Sequence, residues 1–247
     1  MNEVAERVAS VRARVEAAVR RRGPGPPVRI VGVVKRQPLD RIRAAVAAGI
    51  VDLGENYAQE LARHRAALGS VAARVRFHFI GALQRNKVKM VLGVALVHTV
   101  DRPAVLEALE RRARSLGAVQ DVLVEVNVGR EATKAGVAPD GLPDLLAAFE
   151  AAPHVRCRGL MALPPSGGPE EARPFFRRLR ALRDRFVRGP RRTPLSNVDL
   201  RELSMGTSQD FEVAIEEGAT IVRLGTVLLG PRTPPPRPET PGGTAPR

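Results

Sequence analysis

Several things are scarce in this 247-residue sequence. Aromatic residues make up 3%, with no tryptophan and one tyrosine, Tyr57. That excludes nucleic-acid recognition by rows of stacking platforms and leaves a core to be built from Val, Leu, Ile and Ala. The single cysteine, Cys157, excludes an intramolecular disulfide, and the four histidines at 64, 78, 98 and 154 lack the spacing of a zinc site. No apolar run reaches the ~18 residues of a membrane span. The opening MNEVAERVASVRARVEAAVRR is acidic where a signal peptide would be apolar. The expectation is a cytoplasmic protein with no membrane partner and no bound metal.

Lysine is the most informative scarcity. The net charge is +14, yet of 40 basic residues only Lys35, Lys87, Lys89 and Lys134 are lysines and the remainder are arginines. The arginines are dispersed along a chain also rich in Ala, Gly and Pro. A compositional bias accounts for the charge at least as well as a polyanion-binding surface, so no nucleic-acid partner is expected.

What is present is rhythm. Residues 4–22 carry Val4, Val8, Val11, Val15 and Val19 on one helical stripe, closed by the breaker GPGPP. Eight short runs rich in Val and Ile follow, at 29–34, 50–53, 76–80, 95–100, 121–128, 155–163, 202–205 and 220–224. Amphipathic segments separate them, among them 39–48, 102–116, 170–187 and 210–217. Parallel strands joined by crossover helices produce this alternation. Eight such units predict an α/β fold, a single TIM-type (β/α)8 barrel over 1–230 with an extra N-terminal helix and no second β-domain. An open doubly wound sheet is the structural alternative, but no GxGxxG follows the first strand. Residues 231–247, PRTPPPRPETPGGTAPR, hold almost no apolar side chain and read as a disordered tail.

In such a barrel the reactive groups gather at the carboxyl ends of the strands. Those ends carry Lys35, Gly54-Glu55-Asn56, Gly81, Asp101, Asn127, Met161, the run Ser204-Met205-Gly206-Thr207-Ser208, and Gly225-Thr226. Lys35 ends the apolar strand VRIVGVVK. A desolvated lysine can lose its proton and form a Schiff base with a carbonyl, which arginine cannot, but a lysine whose stem covers apolar surface fits the same spacing. Gly206 and Gly225 allow backbone N–H groups to approach an anion, and Ser204 and Thr226 add hydroxyls. Arg223 interrupts the apolar strand IVRL, so its guanidinium either faces the pocket or forms a structural ion pair. His78, between Phe77 and Phe79, reads as a hydrogen-bonded core histidine or a pocket residue, and Asn56 as a ligand contact or a helix cap.

Taken together, VVKRQP, LGENYAQE, FHFIGALQRNK, VHTVDR, VEVNVGREATKAG, RGLMALPP, ELSMGTSQDFEVAIEEGAT and VRLGTVLLG, in this order across residues 4–230, resemble the pyridoxal phosphate homeostasis proteins, the YggS/PROSC family. The resemblance implies a barrel like the N-terminal domain of alanine racemase holding pyridoxal 5′-phosphate (PLP). By this resemblance Lys35 is the Schiff-base lysine, and Ser204, Met205, Gly206, Gly225 and Thr226 surround the phosphate. Asn56, His78 and Met161 line the pocket, and Arg223 faces the pyridine nitrogen. Phe77, Arg36-Gln37 and Leu53 depart from residues common in the family. The implied role is a monomeric carrier that holds PLP and delivers it to apo-enzymes without substantial catalysis. A racemase resembling this barrel takes a second acid/base group from an added β-domain that the 17 residues after Gly230 are too few to form. The alternatives are a PLP-dependent amino-acid racemase or related PLP enzyme, using Lys35 with a water, His78 or Tyr57, and a basic scaffold for nucleic acid. Lys87, Lys89 and Lys134 are candidates for a second, transient PLP contact or are surface lysines.

Overall fold

A computed structural model describes residues 3–131, 133–188 and 195–231. Eight parallel strands close into a barrel in sequence order. They are β1 (Arg29–Val33), β2 (Asp52–Glu55), β3 (Arg76–Phe79), β4 (Leu96–Val100), β5 (Gln120–Glu125), β6 (Val155–Met161), β7 (Val198–Ser204) and β8 (Ile221–Leu224). The helices are α1 (Glu3–Arg22), α2 (Leu39–Ala47), α3 (Ala58–Leu68), α4 (Val88–Val91), α5 (Pro103–Ser115), α6 (Leu142–Ala147), α7 (Pro169–Arg188), α8 (Phe211–Glu216) and α9 (Thr226–Leu229). The barrel with an added N-terminal helix is therefore present, and the described residues form no second domain. The expected tail falls, from residue 232 onward, outside the described residues.

The α1 stripe is buried through Val4, Val8, Val11, Val15 and Ala18 and packs on α2, α8 and α9. Ion pairs Arg14–Glu212 at 2.6 Å and Arg21–Glu216 at 2.6 Å flank that contact. Six strands lie within two residues of their expected places; β5 ends at Glu125 rather than 128, and β7 begins at Val198 rather than 202. Its first half alternates Val198 and Leu200 with Asp199 and Arg201, so a search for continuous apolar runs passes over it.

Two cores result. The larger lies between the sheet and the helices, and a small one inside the barrel holds Val31, Leu96, Leu123, Met161 and Ile221. The interior is otherwise unusually polar for this architecture, where branched apolar residues dominate. At the amino ends of the strands Arg29, Asp52, Arg76, His78, Asp121, Arg158 and Asp199 line a cavity of about 390 Å³. Arg76 forks onto Asp52 at 2.7 and 2.6 Å, Arg156 meets Asp121 at 2.8 Å and Arg201 meets Asp199 at 2.8 Å. Part of the arginine excess is thus spent in ion pairs with the chain's own carboxylates. The β5–β6–β7 registers shift at Leu123 and Gly159, where a Cβ on Gly159 would lie 1.9 Å from the Glu202 carbonyl oxygen. Only glycine permits that approach.

Candidate functional site

The carboxyl ends of β7, β8, β1 and β2 are neighbours in the barrel, and they bring most of the expected residues to one rim. Arg223 pairs in register with Val31 of β1, which pairs in turn with Asp52 of β2, while Ser204 pairs with Ile221. Lys35 follows β1 by two residues and is half-buried; its Nζ lies 5.3 Å from the centroid of the Tyr57 ring, a cation–π contact. Asn56, also half-buried, follows β2 on the same rim.

The segment after β7 is a tight polar turn. Gly206 adopts φ +94, and its carbonyl accepts from the backbone N–H of Arg223 at 3.0 Å. Asp210 accepts from the Thr207 N–H at 2.6 Å and from its hydroxyl at 2.9 Å. The Ser208 hydroxyl oxygen in turn accepts from the N–H groups of Gly225 at 3.2 Å and Val227 at 3.4 Å. Two backbone donors from one loop therefore converge on a single oxygen beside exposed Thr226. That is the chemistry an anionic oxygen would use.

Beneath the rim, Arg223 is buried. It donates from Nη1 to the Ser204 hydroxyl at 2.7 Å and from Nη2 to the Ala162 carbonyl at 3.0 Å. Burial pushes this guanidinium down to about 10, against the opposing pull of Glu125 and Asp210, so it remains cationic at neutral pH. Met161 belongs to the interior apolar cluster and pairs in register with Ser204. Met205 is fully buried in the outer core, and its backbone N–H donates to the Ile221 carbonyl at 3.1 Å.

His78 also lies away from this rim. It lines the cavity at the opposite, amino-terminal end of the barrel, with Nε2 2.9 Å from Asp52 Oδ1 and Nδ1 2.9 Å from His98 Nε2. The core-histidine reading of the sequence describes it correctly. Its two partners bond both ring nitrogens, so a direct place beside a ligand ring does not follow.

Two residues of the site were not singled out from the sequence. Ser208 lay inside the quoted SMGTSQD stretch, but its spacing gave no reason to prefer it over Ser204. Glu125 ends β5 and faces the interior, in register with Met161, which pairs with Ser204. Burial raises its carboxyl to about 7, reinforced by Asp101 and opposed by Arg223. A carboxylate in the apolar run VLVEV was as much of a signal as Arg223 in IVRL.

The raised Glu125 has a measurable consequence. Folding favours its protonated form, so the group costs nothing below the ordinary carboxylate pKa near 4.5. The cost grows as pH rises through about 7 and is complete above that. Glu125→Gln is expected to stabilise the unliganded protein by about 2 kcal/mol at pH 8, after allowance for partial solvent access, and to leave it unchanged at pH 4. Urea unfolding at the two pH values checks this, and equal effects at both would contradict it.

Comparison with known proteins adds the class to this geometry. Residues 7–233 match the family described as alanine racemase, N-terminal domain. Three curated relatives carry the name pyridoxal phosphate homeostasis protein. The one from Aquifex aeolicus is 45% identical over 230 residues, covering 92% of this chain and 97% of its own. The Pseudomonas aeruginosa protein is 40% identical over 94% of this chain and 97% of its own, and that of Escherichia coli K12 35% over 94% and 98%. The solved structure of PipY from Synechococcus elongatus, described with PLP bound, superimposes with a TM-score of 0.78 at 32% identity, covering 92% of this chain and all of that one. An unknown protein from Bifidobacterium adolescentis gives a TM-score of 0.84 at 31% identity, over 92% and 97%. The diaminopimelate decarboxylase of Helicobacter pylori, at 12% identity and TM-score 0.65, shares the fold. The chain belongs to the pyridoxal phosphate homeostasis protein family.

Proposed function

We propose that this protein binds PLP at the β7–β8–β1–β2 rim, holds it as a reversible Schiff base on Lys35, and serves as an intracellular, monomeric reservoir that delivers the cofactor to apo-enzymes. The observation that carries the reading is the convergence of a rim lysine, two backbone N–H groups aimed at one oxygen and a buried arginine on neighbouring strand ends. The names of the relatives and the PLP in the PipY structure support it.

The residues present fit the cofactor. The Gly225 and Val227 N–H groups, with Ser208, Gly206 and Thr226 around them, suit a phosphate ester, and Ser208 has to yield its place on those donors when an anion arrives. PLP itself supplies an aldehyde for imine formation and a pyridine ring that delocalises negative charge. Arg223 would stand opposite the ring nitrogen, with Asn56 and Met161 beside and below the ring. A guanidinium donates a hydrogen bond there without surrendering a proton, which keeps the ring a weak electron sink and disfavours carbanion chemistry. Retention without turnover is the physical result.

Delivery is tested by mixing the PLP-loaded protein with an apo-aminotransferase beside a phosphatase that destroys free PLP. Reactivation that survives the phosphatase is expected; reactivation lost with free PLP would leave a binding protein without a delivery role. Glu125, titrating near pH 7 in the interior beside the site, favours a second reading as a weak racemase or related PLP enzyme. Exchange of an amino-acid α-hydrogen with deuterium oxide, lost in Glu125→Gln, would establish that reading in place of the first.

A further inference from the structure

Five buried polar side chains from five different strands join end to end through the barrel interior. From the amino-terminal mouth, Asp52 of β2 meets His78 of β3 at 2.9 Å, and His78 meets His98 of β4 at 2.9 Å. His98 Nδ1 meets the Ser204 hydroxyl of β7 at 2.9 Å, and Ser204 meets Arg223 of β8 at 2.7 Å. None is more than 5% exposed.

The two ends fix the outer links, and singly protonated rings then fix the inner ones. A guanidinium only donates, so the Ser204 oxygen accepts from Arg223. An ionised carboxylate only accepts. Burial would raise Asp52, but hydrogen bonds from His78 and Arg76 hold it down at about 2, so it is ionised at neutral pH. His78 must therefore give its Nε2–H to Asp52, and a singly protonated His78 then accepts the Nε2–H of His98 at its Nδ1. His98 Nδ1 then accepts the Ser204 O–H. In this arrangement each donor is used once. Burial, reinforced by the neighbouring His78, Arg223 and Arg29, keeps His98 well below the ordinary histidine range.

We propose that Asp52, His78, His98 and Ser204 are positioning residues, a one-directional hydrogen-bonded chain that orients Arg223 from the opposite mouth of the barrel. The link dipoles align, each N–H or O–H end toward the Asp52 carboxylate and each lone-pair end toward the Arg223 guanidinium, so each link strengthens the next. It sets the plane of the guanidinium that is to meet the cofactor's ring nitrogen, and in that respect rests on the PLP reading.

The test begins without cofactor. In the unliganded protein carrying 15N-labelled histidine, long-range proton–nitrogen correlation at pH 7.5 is expected to show both His78 and His98 as neutral Nε2–H tautomers. A His98 protonated at Nδ1, or doubly protonated, would overturn the proposal. In a folded His78→Phe protein, His98 loses its acceptor and is expected to become a mixture of tautomers, and PLP affinity to fall about tenfold while borohydride still labels Lys35. An unchanged His98 tautomer together with unchanged affinity would refute the positioning role. Failure of the PLP reading shows itself separately, as wild-type protein that takes up no PLP while its tautomers stay as expected.

Discussion

Lys35→Ala is expected to remove covalent capture of PLP altogether and to weaken retention by about a hundredfold, or about 3 kcal/mol, because only the anion donors and the Arg223 contact remain. Lys35→Arg makes the distinction sharper. It keeps a cation on the same half-buried strand end and over the same Tyr57 ring, but a guanidinium has no neutral amine to offer an aldehyde. If Lys35 served only as a charge, Lys35→Arg would bind PLP nearly as well as the wild type. On the present account it behaves like alanine, and the visible absorption of the imine is absent from both. Titration of each protein with PLP in a spectrophotometer decides between them.

Gly206→Ala should produce the largest loss of stability at the site. Gly206 sits at φ +94, where an L side chain is strained, and a Cβ there would lie 2.7 Å from the Ala214 Cβ and 2.9 Å from the backbone Cα of Phe211. The second contact is with helix backbone, which cannot rotate away. Conformational strain and overpacking together cost about 4 kcal/mol, a fall in Tm of about 10 °C for a chain of this size. The same turn carries Ser208 toward the Gly225 and Val227 N–H groups, so PLP affinity falls with stability. Gly168→Ala is the control: its Cβ would meet nothing nearer than 4.0 Å and its backbone is unstrained. Calorimetry should leave that variant within about 1 °C of wild type. Equal melting temperatures for the two substitutions would contradict this account of the turn.

The barrel was legible because its signal is local. Buried parallel strands read as short Val/Ile runs, and the stripe Val4, Val8, Val11, Val15 announces a helix without knowledge of what it packs against. The β7 strand was legible only at its end, since Asp199, Arg201 and Glu202 turn charged side chains toward the amino-terminal mouth. Strand-end position also located Lys35, Gly206 and Gly225, because carboxyl ends share a rim whatever the stagger. Depth inside the barrel is another matter. His78 shows this: its sequence neighbours say that it is interior, but the stagger between strands decides its height, and it lies with Asp52 at the far mouth. Likewise nothing in the sequence ties Asp52, His78, His98, Ser204 and Arg223 together. They come from five strands, and only barrel closure makes them consecutive.

The most direct test of the central claim is borohydride reduction of the PLP-loaded protein, followed by peptide mass mapping. One phosphopyridoxyl group is expected, on the peptide containing Lys35, with Lys87, Lys89 and Lys134 unmodified at stoichiometric PLP. A label spread over those three lysines with Lys35 untouched, or no label at all, would contradict it.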